Sequence, residues 1–159
     1  MAKIFRIATI TYITVLTGVV TADLITKDLA ERWLADNIYS PLPFLKLFLI
    51  YNKGAAFGIF SDLPDVIRLP ILIITPILAF VITYIYSDRN GKMGLSIAMG
   101  LIGGGALGNL YDRLFLGKVR DFIHLHAGDI YWPAFNVADA SITVGIIIIA
   151  GSYLIGKWG

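Results

Sequence analysis

The chain has 159 residues, of which 57% are hydrophobic and 15% charged, with a mean hydropathy of +0.77. A soluble domain averages about 25% charged and about 45–50% apolar residues, so disordered, collagen-like and ordinary water-soluble globular chains are excluded. Of eleven acids, ten are Asp and only Glu31 is Glu, which leaves little solvated helix surface of the usual Glu-rich kind.

Four stretches of at least sixteen residues lack Asp, Glu, Lys and Arg: 7–22, 69–87, 93–111 and 140–156. Crossing a bilayer takes about 20 apolar residues, with a range of about 17–25. Each gap therefore predicts one spanning helix, over about 7–25, 68–87, 93–113 and 137–157, within a single membrane domain, 1–159. Lys3 and Arg6 precede an apolar run ending Val20-Thr21-Ala22, the outline of a secretory signal peptide. Three more spans follow, so a retained first helix is expected. Beyond it, Phe44 to Tyr51 is rich in aromatic and branched residues and reads as a strand. Asn52-Lys53-Gly54 is a turn signal, and Ala55 to Phe60 reads as the return strand. A short sheet on the membrane surface is expected, with Trp33, Tyr39 and Tyr51 suited to the headgroup region. Ser61-Asp62-Leu63-Pro64 reads as a cap opening a short helix before the second span.

The third gap is the least hydropathic and holds six glycines from Gly94 to Gly108, seven with Gly91 just before it. Gly100, Gly104 and Gly108, at i, i+4 and i+8, predict a helix face that admits close backbone approach. Gly103-x-Gly105-x-x-Gly108 matches a dinucleotide fingerprint, but it has no preceding strand or βαβ unit and is set aside. The second long loop, about 112–138, carries both histidines.

Four spans put both termini on one side of the membrane and both long loops on the other. Raw counting of Lys and Arg favours the loop side, with eight against five. Charge density and the basic N-terminus favour termini in the cytoplasm, and long loops blunt the raw count. The net charge of +2 is too small and scattered to suggest nucleic-acid binding. With no cysteine there is no disulfide, thiol nucleophile or Cys-based metal site.

This topology gathers Asp23, Lys27, Asn52, Asn109, Asp112, Arg113, Asp121, Asn136 and Asp139 at one face, while Asp88 is the acid at the other. Ionisable groups at membrane depth cost about 2.5–3.5 kcal/mol on insertion scales and point to function. With Asn136 as N-cap of the fourth helix, Asp139 falls at N3, where a capping acid is also a sufficient explanation. Asp121 alone reads as a solvated loop acid paired with Arg120. Together, two Asp at one membrane boundary are able to share a proton. One carboxylate then activates water while its protonated partner donates to a carbonyl oxygen, with no Ser, Cys or metal required. Arg113 is expected to bind a helix carboxylate or terminal carbonyls. Asp23 and Lys27 read as an i,i+4 ion pair, and either Arg113 or Lys27 is also placed to meet lipid headgroups or a substrate. His124-x-His126, near Asp121 and Asp129, is a weak metal-site candidate. A small proton-coupled transporter using the acids as a relay is the alternative function.

Asp23-x-x-Thr26-Lys27, Asn52-x-Gly54-Ala55-Ala56-Phe57, Gly104-Gly105-Ala106-x-Gly108-Asn109-x-x-Asp112-Arg113, Gly117-x-Val119-x-Asp121-Phe122-Ile123 and Phe135-Asn136-x-Ala138-Asp139 follow one another along the chain. Together these blocks resemble the lipoprotein signal peptidase family, signal peptidase II. The resemblance implies an α-helical integral membrane protein with four transmembrane helices and a small extracytoplasmic β-sheet. It implies an aspartic endopeptidase of the bacterial inner membrane, termini cytoplasmic, needing no cofactor or metal. Its partners would be membrane lipids and prolipoproteins, cut on the N-terminal side of a diacylglyceryl-modified cysteine. By motif, Asp121 and Asp139 match the catalytic dyad. Asn52, Gly54, Asn109, Arg113, Asn136 and Ala138 match positions around it, and Asp23 and Lys27 match a first-helix motif of structural character. Leu24 and Ala140 depart from the family pattern, which commonly has Gln and often Ser at these places.

Overall fold

The computed structural model describes residues 2–55 and 59–156, with side chains from residue 7 onward. Four helices are long and apolar enough to cross a membrane: α1 (Ala2–Leu34), α2 (Asp65–Asn90), α3 (Met93–Leu116) and α4 (Val137–Leu154). Strands β1 (Tyr39–Leu42), β2 (Leu45–Asn52), β3 (Val119–Ala127) and β4 (Ile130–Tyr131) form an antiparallel sheet in the order β1-β2-β3-β4. The protein is thus a helical membrane protein carrying a small sheet at one end of its bundle. All four expected spans are present. The first and second run longer than their apolar gaps, and Lys157 lies outside the described residues.

Helix α3 is the central one. In its most apolar window 67% of residues are buried, against 22%, 17% and 11% in α1, α2 and α4. Glycine explains the difference, because its face lets neighbouring backbones close in. A Cβ added at Gly100 would sit 2.9 Å from the Tyr12 carbonyl oxygen, and one at Gly104 2.8 Å from Val19 Cβ. Gly108 faces the Asp23 carboxylate, so the whole predicted face meets α1. An adjacent side meets α4, where Gly105 abuts Ala138 and Gly145 abuts Ala98. At the helix ends, Gly91 and Gly117 adopt left-handed φ values of 66° and 68° as C-caps. Away from the sheet, buried Tyr12 packs with Leu95 and Met99, and Thr9 donates to Asp88 at 2.7 Å.

The sheet differs from the expected hairpin. The partner of β2 is β3, in the second loop, with Leu47 opposite Ile123 and Tyr51 opposite Arg120. β1 takes the other edge of β2, so no edge remains for a return strand at 55–60. Within that stretch, residues 56–58 lie outside the described residues, and 59–60 form a turn. Asn52 explains where β2 stops. Its Oδ1 accepts from the Gly54 N–H at 2.8 Å and its Nδ2 donates to the Ala55 carbonyl at 3.3 Å, bonds that turn the chain away. Ser61 to Pro64 does not open a separate short helix. Helix α2 starts at Asp65 without a side-chain cap and runs on to Asn90. Trp33, Tyr39 and Tyr51 are all exposed, as the headgroup reading requires.

Candidate active site

Two short elements meet where the sheet joins the bundle. β3 enters from α3 through Gly117, and the Phe135 N–H and C=O pair with Ile123 at 3.1 and 2.9 Å. This pairing sets Asn136 beside β3 just as α4 begins. The Asn136 side chain accepts from the Asp139 N–H at 3.0 Å, and the Asp139 carboxylate accepts from the Asn136 N–H at 3.3 Å. The expected N-cap and N3 placement is therefore a complete capping box.

The capping residue also reaches across the site. Asn136 Nδ2 donates to Asp121 Oδ1 at 2.7 Å, and Asn52 Nδ2 donates to Asp121 Oδ2 at 3.0 Å. Each oxygen of Asp121 thus has an amide donor, one from the sheet and one from the α4 cap. Asp139 is held in a similar way, with Asn109 Nδ2 donating to its Oδ1 at 2.8 Å. Asn109 in turn accepts from Lys27 Nζ at 3.0 Å and from Asn136 Nδ2 at 3.1 Å. Arg113 Nη2 donates to the Gly54 carbonyl at 3.1 Å and Nη1 to the Asn109 carbonyl at 3.5 Å. Of its expected partners, Arg113 takes the carbonyls.

Asp121 is 2% exposed and its carboxyl is pushed up to about 7. Burial is the main cause and the charge of Asp139 the second, partly offset by the Asn52 and Asn136 amides and by Lys27. The expected pairing of Asp121 with Arg120 does not occur. On a strand, neighbouring side chains point to opposite faces, and Arg120 binds Asp112 and Glu31 instead. Asp121 and Asp139 both line a cavity of about 460 Å3, whose walls include Asn52, Asn109, Arg113 and, from α4, Ile142. A second cavity of about 460 Å3 shares Asn52 and Asp121 and extends toward Tyr51, Lys53 and Ser61. Two carboxyl groups on one wall, one of them raised, make an arrangement able to hold a single proton and polarise a water molecule.

The first-helix motif lies below this layer. Lys27 Nζ sits 2.6 Å from Asp23 and 3.6 Å from Asp112, and all three side chains are fully buried. Lys27 therefore has no surface to offer a lipid headgroup. Asp23 Oδ1 accepts from the Ala138 N–H at 2.9 Å, which ties α1 to the first turn of α4. Ala138 itself is fully buried, against Gly105 and Gly108 of α3. Of the two departures, Ala140 lies on the cavity wall and Leu24 is half-buried on α1. His124 Nε2 is within 3.0 Å of the Phe48 carbonyl and its ring stacks on Phe48 at 3.5 Å, while His126 stacks on Tyr131. Burial lowers the His124 pKa. Among the described residues no three His, Cys, Asp or Glu side chains are grouped to hold a metal ion. Glu31, the chain's one glutamate, lies outside the motif blocks, and the sequence offered Arg120 only as a partner for Asp121.

A sequence profile described as Signal peptidase (SPase) II matches residues 15–155. The lipoprotein signal peptidase of Aquifex aeolicus (strain VF5) is 56% identical over 146 residues, covering 92% of this chain and 87% of that protein. That of Sulfurihydrogenibium sp. (strain YO3AOP1) is 46% identical over 143 residues, covering 87% and 88%. A bacterial membrane enzyme solved by the in meso method superposes with a TM-score of 0.80 at 30% identity, covering 91% of this chain and 87% of its own. A second such structure gives a TM-score of 0.78, also at 30% identity. Profile, relatives and fold agree over nearly the whole length, and the chain belongs to the signal peptidase II family.

Proposed function

We propose that this protein is an aspartic endopeptidase that removes the signal peptide from diacylglyceryl-modified prolipoproteins, cutting on the N-terminal side of the lipidated cysteine. The observation that carries this reading is the pair Asp121 and Asp139 on one cavity wall, held by Asn52, Asn136 and Asn109. With its carboxyl raised to about 7, Asp121 is the member that carries the pair's proton below that pH, and Asp139 serves as the base. Asp139 takes a proton from water as the water attacks the scissile carbonyl carbon, and Asp121 donates to the carbonyl oxygen. As the tetrahedral intermediate collapses, the proton on Asp139 passes to the leaving amine and Asp121 takes back a proton from a hydroxyl of the intermediate, leaving the new carboxyl end and the starting dyad. Arg113 lines the cavity and ties the Gly54 carbonyl to α3, which keeps the Asn52 turn beside the place where a substrate backbone would lie. The cavity wall on α4 carries Ile142 and Val144, so the apolar part of a signal helix is able to stay in lipid while its cleavage site reaches water.

The enzyme lies in the bacterial inner membrane with both termini cytoplasmic and the sheet on the outer face. The transporter alternative is less well supported. Asp23, Asp112, Asp121 and Asp139 stand at the sheet end of the bundle, while Asp88 at the other end is occupied by Thr9. Incubation with a diacylglyceryl-modified precursor peptide, followed by mass analysis, tests the proposal. Two products divided before the lipidated cysteine are expected, and an intact precursor contradicts it.

A further inference from the structure

Arg120 stands next to Asp121 yet lines neither cavity. Its side chain is 8% exposed and is fully engaged with acids of two helices. The Arg120 backbone N–H and Nε donate to Asp112 Oδ2 at 3.0 and 3.2 Å, and Nη2 donates to Asp112 Oδ1 at 2.7 Å. Asp112 is fully buried in the last turns of α3. The remaining arm, Nη1, donates to Glu31 Oε2 at 2.8 Å near the end of α1. Glu31 Oε1 accepts from Tyr51 Oη at 2.7 Å, and Tyr51 lies directly opposite Arg120 in the β2–β3 ladder. One rung of the sheet is therefore bolted to both α1 and α3.

That rung borders every group holding Asp121. Asn52 follows Tyr51 and donates to Asp121. The Arg120 carbonyl accepts from Asn136 Nδ2 at 3.3 Å, the same nitrogen that donates to Asp121. We infer that the Asp112–Arg120–Glu31 clamp is a positioning device, with Arg120 as the residue that fixes the depth and register at which β3 presents Asp121 to the cavity. The inference rests on the proposed role of Asp121. Arginine suits the task because its planar fork satisfies both Asp112 oxygens and still reaches Glu31, whereas a lysine ammonium is a single point.

The test compares Arg120→Lys, Glu31→Ala and Asp121→Asn in purified protein, following cleavage of a diacylglyceryl-modified precursor peptide across pH. Arg120→Lys keeps the charge and loses the fork, so kcat is expected to fall about 10–100-fold with KM within about twofold, as for a misplaced reacting group. The alkaline limb of its pH profile is expected to move to lower pH as water reaches Asp121. That carboxyl faces Asp139, Lys27 and Arg113, none of which the substitution touches. Glu31→Ala, at a half-exposed site, is expected to lose less kcat with the limb moving the same way, and it decides the matter if Arg120→Lys does not fold. Parental kcat and pH profile in the folded variant, or a loss confined to KM or to thermal stability, overturns the inference. Turnover by Asp121→Asn would instead overturn the role of Asp121, whereas an inert Asp121→Asn beside a parental Arg120→Lys removes the clamp's role alone.

Discussion

At the scale of single residues, the site reuses ordinary folding devices. Asn136 and Asp139 form a capping box, yet the same two side chains bridge to Asp121 and Asn109. The capping role and the proposed chemical role of Asp139 are compatible, because the capping box also fixes where its carboxylate lies. Lys27 shows the energetic side of this economy. Its ammonium lies 2.6 Å from the fully buried Asp23 carboxylate and 3.6 Å from that of Asp112, which Arg120 also binds. Lys27→Met leaves Asp23 without its cation, and breaking a buried pair in this way costs about 3–5 kcal/mol. The expected outcome is a large drop in unfolding midpoint in detergent, with little folded protein recovered. A second residue-scale prediction concerns pH. Asp121 loses its proton as pH rises through about 7, and the doubly ionised pair then lacks an acid. Cleavage is expected to decline on the alkaline side from about that pH, and the pair's apparent values are read from the pH dependence of kcat. Activity rising steadily to pH 9 would contradict the assignment of Asp121 as the proton holder.

At the scale of elements, the helices were legible because the bilayer sets a length and excludes charge, and both leave marks in a sequence. The glycine face of α3 was legible for a related reason, since i, i+4 spacing has one geometric meaning on a helix. The sheet was not. The strand expected over Phe44 to Tyr51 is present as β2, Leu45–Asn52, but strand propensity says nothing about partners. The nearest apolar stretch, 55–60, was the obvious choice, while the true partner begins at Val119. Turn residues around Asn52 signalled a change of direction, which the Asn52 side chain does produce. They did not signal whether a hairpin follows. Packing at this scale makes its own prediction. Gly104→Ala places a methyl 2.8 Å from Val19 Cβ and 2.9 Å from the Leu16 carbonyl, an overpacking expected to destabilise by about 1–3 kcal/mol. Gly18→Ala, on α1 with nothing within 4 Å, is expected to be neutral or stabilising by about 0.5–1 kcal/mol. Thermal unfolding in detergent micelles compares the two, and equal midpoints would contradict the close α1–α3 contact.

At the scale of the whole molecule, topology turns a scattered set of polar residues into one layer. Two antiparallel helix pairs with the sheet at one end bring together residues from Asp23 to Asp139, over a hundred positions apart in sequence. The motif blocks located the members of this layer, but their bonding was invisible. Asp121 and Arg120 looked like an exposed pair and are instead on opposite faces of β3, each buried in its own network. Strand alternation separates them, and that alternation acts only once the second loop is recognised as a strand. The central claim is that Asp121 and Asp139 act as one proton-sharing pair. Cleavage of a diacylglyceryl-modified precursor by the parent, Asp121→Asn and Asp139→Asn proteins, each shown to be folded and followed by mass analysis, tests it most directly. The account predicts turnover by the parent and a loss of at least about 10³-fold in kcat for each variant, as for other groups that act as a unit; turnover near the parental rate in either variant would contradict it.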